Sequence, residues 1–354
     1  MVDFSQYIQG YKDYFSKKPL VLKRLAKGVI NRLIFKRPHL RVAELATTFI
    51  CNSKCEMCSC SKFLSPDKEK NRLTVSDYEL LGKQLDALDC VSINVTGGEP
   101  LLRDDINEVI KALNPKSKMM NLITNGIRLS KEKVRYFSSL GIDSIVVSLE
   151  STNEEENDKI RGYKGHFQHV MKAIEWAKEE KVKVGISLTL GDFNFEKVFE
   201  MIQFAKDKLI FLCIAHGGSI GNWEDNDSIL LSKENAEKLL ELIKTKYKKL
   251  KIDFSSNLSL QPGCPAIKEK IFIDPYGEVM SCAFNPVSFG NIREEPLTTI
   301  WKKGLKFMEE NTKGETLCLR TYNKDYIDKF LVPIKNQHEP VRIDKHPYFL
   351  NLIH

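Results

Sequence analysis

Cys51, Cys55 and Cys58 form a CxxxCxxC array directly after the strand-like run Arg41 to Ile50, and Thr96-Gly97-Gly98-Glu99-Pro100 follows the next such run. Three thiolates on one loop can each ligate one corner of a four-iron, four-sulfur cluster, leaving the fourth iron open to a small molecule. Glu99, on a glycine loop, can hold an ammonium group there. Structural zinc is the competing use of such cysteines. It takes four ligands, commonly as two close pairs, and Cys60 stands too near Cys58 to complete the usual pair.

With these two loops the chain resembles the radical S-adenosylmethionine enzymes, whose signature is CxxxCxxC plus a GGEP-type loop that binds the methionine amino group. Met57 stands where the family often has an aromatic residue. The resemblance implies a [4Fe-4S] cluster on Cys51, Cys55 and Cys58, with S-adenosylmethionine chelating the open iron and being cleaved to a 5′-deoxyadenosyl radical. It implies that Gly97, Gly98, Glu99 and Pro100 hold the amino end of the cofactor, and that Ser148 and Glu150 meet its ribose, with Asn125 and Thr189 on the same rim. Arg161, in the segment Asn157 to Gly162, is the residue expected to reach the cofactor carboxylate. Each has a structural alternative: Asn125-Gly126 is a good turn dipeptide, Ser148 can end a strand, and Arg161 can pair with Glu154 or Glu155 on the surface.

A second cysteine set lies downstream. Cys264, Gly277 and Cys282, followed by Phe289-Gly290-Asn291-Ile292 and Leu297 to Trp301, resemble the C-terminal auxiliary-cluster domains of the same family, the SPASM domain and its shortened twitch form. Only Cys318 follows, so the shortened form is expected, with one auxiliary [4Fe-4S] cluster on Cys264, Cys282 and Cys318 and an undetermined fourth ligand. Three unmetallated thiols are the alternative. Cys90 reads as a small buried hydrophobe; Cys213, near a strand end, and Cys318 are candidate thiol hydrogen donors.

These residues need elements to position them. From Arg41 onward short β-rich runs alternate with helical periods, the pattern of a parallel α/β sheet. Six strands are expected: Val42 to Ile50, Val91 to Thr96, Met119 to Thr124, Ser144 to Leu149, Val182 to Leu190 and Leu209 to Ala215. Helix starts are read at Ser76 with Glu79 as a capping box, at Asn194 and at Ser232, and Gly141 is read as a helix stop. The unusual residues each fall just past the C-terminal end of a strand, where parallel α/β folds place ligands. The family resemblance makes this a partial (β/α)6 TIM-like barrel. Ile271 to Cys282 reads as a β-hairpin turning at Asp274-Pro275-Tyr276-Gly277. The expected divisions are a basic N-terminal extension (1–41), a barrel (42–258), an auxiliary-cluster domain (259–322) and a tail (323–354) whose Tyr348, Phe349 and Leu350 dock on the barrel.

The chain has 354 residues, 42% hydrophobic and 29% charged, and a net charge of +7, which does not call for nucleic acid. It lacks a long apolar run or a secretory leader, and its nine cysteines cluster by motif rather than as a disulfide framework, so a reducing, cytoplasmic setting is expected. Between Phe15 and Arg41 there are nine Lys or Arg residues and no acid, with Leu22, Leu25, Ala26, Val29, Ile30 and Leu33 at helical spacing. This cationic amphipathic helix is read first as packing on the barrel and second as lying on an anionic membrane surface. The resulting expectation is an oxygen-sensitive radical enzyme that takes a hydrogen atom from an organic substrate: a peptide, a sugar or aminocyclitol, or a lipid-linked molecule. A flavodoxin- or ferredoxin-type protein would reduce it. An epimerase using a cysteine hydrogen donor and a non-catalytic iron-sulfur module are the alternatives.

Overall fold

The computed structural model describes residues 17–245, 252–254, 264–312 and 318–350. Its eleven strands form one sheet in the order β11-β10-β9-β8-β1-β2-β3-β4-β5-β6-β7. The parallel part comprises β1 (Val42–Ala46), β2 (Ser92–Thr96), β3 (Met119–Thr124), β4 (Ser144–Ser148), β5 (Lys183–Leu190), β6 (Phe211–His216) and β7 (Ile252–Phe254). The seventh strand extends the expected six. Every one of these strands carries valine or isoleucine, whose branched side chains suit a pleated surface packed on helices.

Helices connect the strands: α1 (Pro19–Leu33), α2 (Val75–Ala87), α3 (Ile106–Ala112), α4 (Lys131–Leu140), α5 (Glu154–Arg161), α6 (His166–Glu179), α7 (Lys197–Asp207), α8 (Lys233–Thr245) and α9 (Leu297–Asn311). Leu81 and Leu85 of α2, Val109 of α3 and Ala173 of α6 meet Ile93, Leu122, Ile145 and Ile186 of the strands in one continuous core. The capping box before α2 is Thr74 with Asp77, not Ser76 with Glu79, because Thr74 accepts from Asp77 N while the Asp77 carboxylate accepts from Thr74 N. Asn194 does not cap α7, which starts after Glu196; its side-chain oxygen accepts from Gly191 N in the preceding turn. Ser232 and Gly141 act as read, as an N-cap and a left-handed helix stop.

The C-terminal part joins the same sheet. β8 (Lys270–Ile273) pairs parallel with β1, and β9 (Glu278–Met280) turns back antiparallel to it through Asp274 to Gly277. β10 (Val287–Asn291) and β11 (Val341–Arg342) complete that edge. The expected boundary at 259–263 lies outside the described residues. Tyr348 and Phe349 pack on Phe330, and Phe349 on Phe307 of α9, while Lys335 O accepts from Lys62 Nζ at 2.6 Å and Glu339 pairs with Lys68, so the tail touches both the C-terminal part and the barrel.

Candidate active site

β1 delivers the chain to the cysteine loop. Thr47 N donates to Thr96 O at 2.8 Å, Gly98 N to Thr48 O at 2.7 Å and Glu99 N to Ile50 O at 2.9 Å, so the two motif loops run side by side beyond their strands. A β-carbon at Gly97 (φ +146°) would meet Thr48 O at 2.4 Å, and one at Gly98 would meet Ile50 O at 2.3 Å. The glycines are needed because the two backbones touch each other.

Glu99 is fully buried. Its carboxylate accepts from Leu101 N at 3.0 Å, Thr124 Oγ1 at 2.7 Å and Asn125 N at 2.7 Å. Burial pushes this carboxyl above the usual range against the pull of those donors. Two carboxylate oxygens offer about four acceptor positions, so one remains for a further donor such as an ammonium. Asn125 braces the cysteine loop: its side-chain amide donates to Asn52 Oδ1 at 2.7 Å and reaches Cys51 Sγ at 3.8 Å.

The far side of the cysteine loop rests on α5. Glu56 N donates to Ile160 O at 3.0 Å, and a β-carbon at Gly162 would lie 2.3 Å from Lys54 O. Arg161, at the end of this helix, donates to Glu150 Oε1 at 3.2 Å, so its acidic partner is Glu150 and not Glu154 or Glu155. Glu150 also accepts from Thr189 N at 2.8 Å, and Glu150 N donates to the fully buried Asn157. Ser148 ends β4 half-buried beside Ser187.

Burial pushes the Cys55 thiol up to about 12 and the Cys51 thiol upward, while the Arg161 charge pulls both down. Cys58 is drawn down to about 6, chiefly by a hydrogen bond from the Cys60 thiol, whose S–H also has Gly97 O within 3.3 Å. Cys51, Cys55 and Cys58 therefore share one electrostatic neighbourhood with Arg161 as its cation. Arg161 Nε is buried without a hydrogen-bond partner, an unused donor on the residue whose charge acts on Cys51 and Cys55. Among the described residues no three His, Cys, Asp or Glu side chains converge to grip a single metal ion. Zinc would draw its ligands onto one centre at about 2.3 Å each, whereas a cubane takes each thiolate on a separate iron. This donor set fits a four-iron cluster with a cofactor carrying both a carboxylate and an ammonium.

Cys264, Cys282 and Cys318 also gather: burial pushes Cys264 up to about 12 and Cys282 to about 11, and the Cys318 charge acts on both. Two features near them were not read from the sequence. Lys270 pairs with Glu44 at 2.7 Å inside the sheet, and its charge acts on Cys282. Arg320 donates to Ser219 O and lies within reach of the Cys282 and Cys318 charges. Its position two residues after Cys318 was the available signal. Ser219 belongs to the loop after β6, where Asn222 N donates to Cys58 O at 3.1 Å and Asn222 Nδ2 to Cys55 O at 2.8 Å. One loop thus holds the first cysteine set and the arginine beside the second. Cys213 lies half-buried on the face of β6 opposite Leu212 and Ile214, which enter the helix-packed core. Cys90 is buried, as read.

The Radical SAM superfamily matches residues 45–205, and the SPASM family, described as an iron-sulfur cluster-binding domain, matches residues 264–325. The PqqA peptide cyclase of Rhizobium meliloti is 27% identical over 76% of this chain and 75% of its own length. The AdoMet-dependent heme synthase of Methanosarcina barkeri is 25% identical over 78% and 87% respectively. The GTP 3′,8-cyclase of Aquifex aeolicus is 29% identical over 59% of this chain, which spans 65% of that relative. In fold, Streptococcus suis SuiB bound to the precursor peptide SuiA is similar with a TM-score of 0.57 at 19% identity, over 79% of this chain and 67% of that one. Native anSMEcpe with bound AdoMet gives 0.58 at 17% identity, over 81% and 95%. The chain carries a Radical SAM domain followed by a SPASM iron-sulfur domain, and these domains imply S-adenosylmethionine, a [4Fe-4S] cluster and auxiliary iron-sulfur as its cofactors.

Proposed function

We propose that this chain is an enzyme that removes a hydrogen atom from an unactivated carbon of an organic substrate, with a peptide as the substrate class. When bound and reduced, the cofactor pair supplies the radical that takes the hydrogen atom. Cys51, Cys55 and Cys58 would hold the cluster. Glu99 would accept from the cofactor ammonium, and Arg161 would face its carboxylate with the donor that has no protein partner. Thr189 would act through its backbone, fixing Glu150, while Ser148 offers a hydroxyl on the same rim. The carrying observation is the meeting of this thiol trio with buried Glu99 and Arg161 beyond the strand ends.

The peptide class is supported by the likeness to PqqA peptide cyclase along three quarters of its length. A polar row on the sheet supports a hydrogen-bonding substrate: Asn94 donates to Glu44 at 3.4 Å, Asn121 to Asn94 at 2.8 Å and Ser144 to Asn121 at 2.7 Å. Cys264, Cys282 and Cys318 would hold an auxiliary cluster that accepts the substrate electron or orients the substrate. The reductant would be a flavodoxin- or ferredoxin-type protein.

Anaerobically reconstituted, reduced protein should form 5′-deoxyadenosine from S-adenosylmethionine, faster with a cognate peptide. Absence of that product with every candidate substrate would refute the reading. Cys55→Ala should also lose the part of the iron-sulfur absorbance that belongs to the first cluster, a readout independent of turnover. Cys213, exposed to the inner face of β6, supports a second reading in which its thiol returns hydrogen to the substrate carbon. Deuterated water separates the two: epimerised product carries deuterium at carbon, dehydrogenated product does not.

A further inference from the structure

α1 lies across the N-terminal ends of the strands. Arg24 donates to Cys90 O at 2.9 Å and Ser117 O at 2.8 Å and pairs with Asp86; Lys18 donates to Lys118 O at 2.9 Å and pairs with Asp143. Arg32 and Arg41 both pair with Glu269, at 3.1 and 3.0 Å. Val21 and Leu25 pack against Val91. This inner face accounts for most of the buried basic charge. It fixes the helix at the end of the sheet opposite the cysteine rim.

Among the described residues the outer face is exposed. Leu20, Lys23, Lys27, Ile30 and Ile34 follow one another at steps of three and four, the spacing of a single helical stripe. Ile30, Leu33, Ile34 and Phe35 are 44%, 58%, 68% and 56% exposed, a run of large apolar side chains at the tip. Lys36 and Arg37 follow, with Arg37 over the Phe35 ring at 5.7 Å. Lys27 pairs with Asp89 on the barrel yet stays exposed. The stripe and tip carry no acid.

We infer that this face docks on an anionic lipid bilayer. Exposed Leu, Ile and Phe beside Lys and Arg, on a segment that itself holds no acid, is the chemistry of a helix lying at a membrane interface, where apolar side chains enter the headgroup boundary and cations meet lipid phosphates. Among the described residues no helix is long and apolar enough to cross a membrane, so attachment through this face is peripheral. The orientation follows from the contacts already given. The bilayer lies at the base of the sheet and the cysteine rim points away from it, so the surface tethers the enzyme and does not feed it a lipid substrate.

Flotation of the full chain with vesicles tests this, independently of turnover. The protein should float with phosphatidylglycerol-containing vesicles, less so at high salt, and not with pure phosphatidylcholine. The variant Leu33→Ser, Ile34→Ser, Phe35→Ser should lose flotation with an unchanged circular dichroism spectrum and melting temperature. Lys23→Gln with Lys36→Gln should weaken binding by about 30-fold, the effect of two cations near an anionic surface. No flotation at low salt, or flotation unchanged in both variants, overturns the proposal. A concentration-dependent dimer broken by the Ser variant, without lipid binding, also overturns it and makes the face a self-association surface.

Discussion

Asp274 sits buried at the turn between β8 and β9, with Oδ1 accepting from Tyr276 N and Glu278 N at 2.9 Å each and Oδ2 without a partner. Burial pushes its carboxyl up to about 7. The folded chain therefore keeps a proton that the unfolded chain, with an ordinary pKa of about 4, releases as pH rises. Stability should fall across that window. Asp274→Asn keeps Oδ1 as acceptor and removes the charge, so it should raise the melting temperature at about pH 8 and change it little at about pH 5; an equal shift at both would contradict this. Glu99 behaves differently because both of its carboxylate oxygens, and not one alone, accept from bound donors. In Glu99→Gln an amide NH2 must face the backbone N–H of Leu101 or of Asn125, costing about 1–3 kcal/mol. Calorimetry should register that loss, and equilibrium dialysis should show weaker S-adenosylmethionine binding. At this scale the motif cysteines and Glu99 were legible because their spacing is unusual. The Arg161 partner was not: Glu150 and the sequence neighbours Glu154 and Glu155 look alike until α5 turns Arg161 inward.

Two glycines of similar backbone conformation separate strain from crowding at the level of elements. Gly165 (φ +83°) has nothing within 4 Å of its would-be β-carbon, whereas Gly162 (φ +60°) would strike Lys54 O at 2.3 Å. Gly165→Ala should cost only the left-handed backbone penalty, about 1–2 kcal/mol. Gly162→Ala should in addition push the cysteine loop off α5 and lower the iron bound per chain after reconstitution; equal iron in both variants would remove the role given to this contact. The elements themselves were well signalled. Met119–Thr124 falls where its β-rich run predicts, while strand one ends at Ala46 rather than Ile50 because the following residues bond to the glycine loop instead of a strand. The box at Thr74 was missed because Ser76 and Glu79 offer the same pattern two residues later.

The molecule as a whole is tied together by the parallel pairing of β8 with β1, which makes the C-terminal part an extension of the barrel sheet. No periodicity announces such a union, since a hairpin read locally can sit anywhere. A chain ending near residue 258 should therefore expose the β1 edge, strand Arg32 and Arg41 without Glu269, and prove insoluble; a soluble, cooperatively melting fragment would refute this. Lys270 gives the union an electrostatic consequence. Its positive charge beside Cys282 favours added electrons, so Lys270→Met should move the auxiliary-cluster midpoint potential to more negative values in an EPR-monitored titration. The loop after β6 carries a further implication. Because Asn222 grips the carbonyls of Cys55 and Cys58 while Ser219 anchors the arginine beside Cys282 and Cys318, filling one seat should stiffen the other. Maturation should then be cooperative, with half-loaded chains scarce at substoichiometric iron and sulfide.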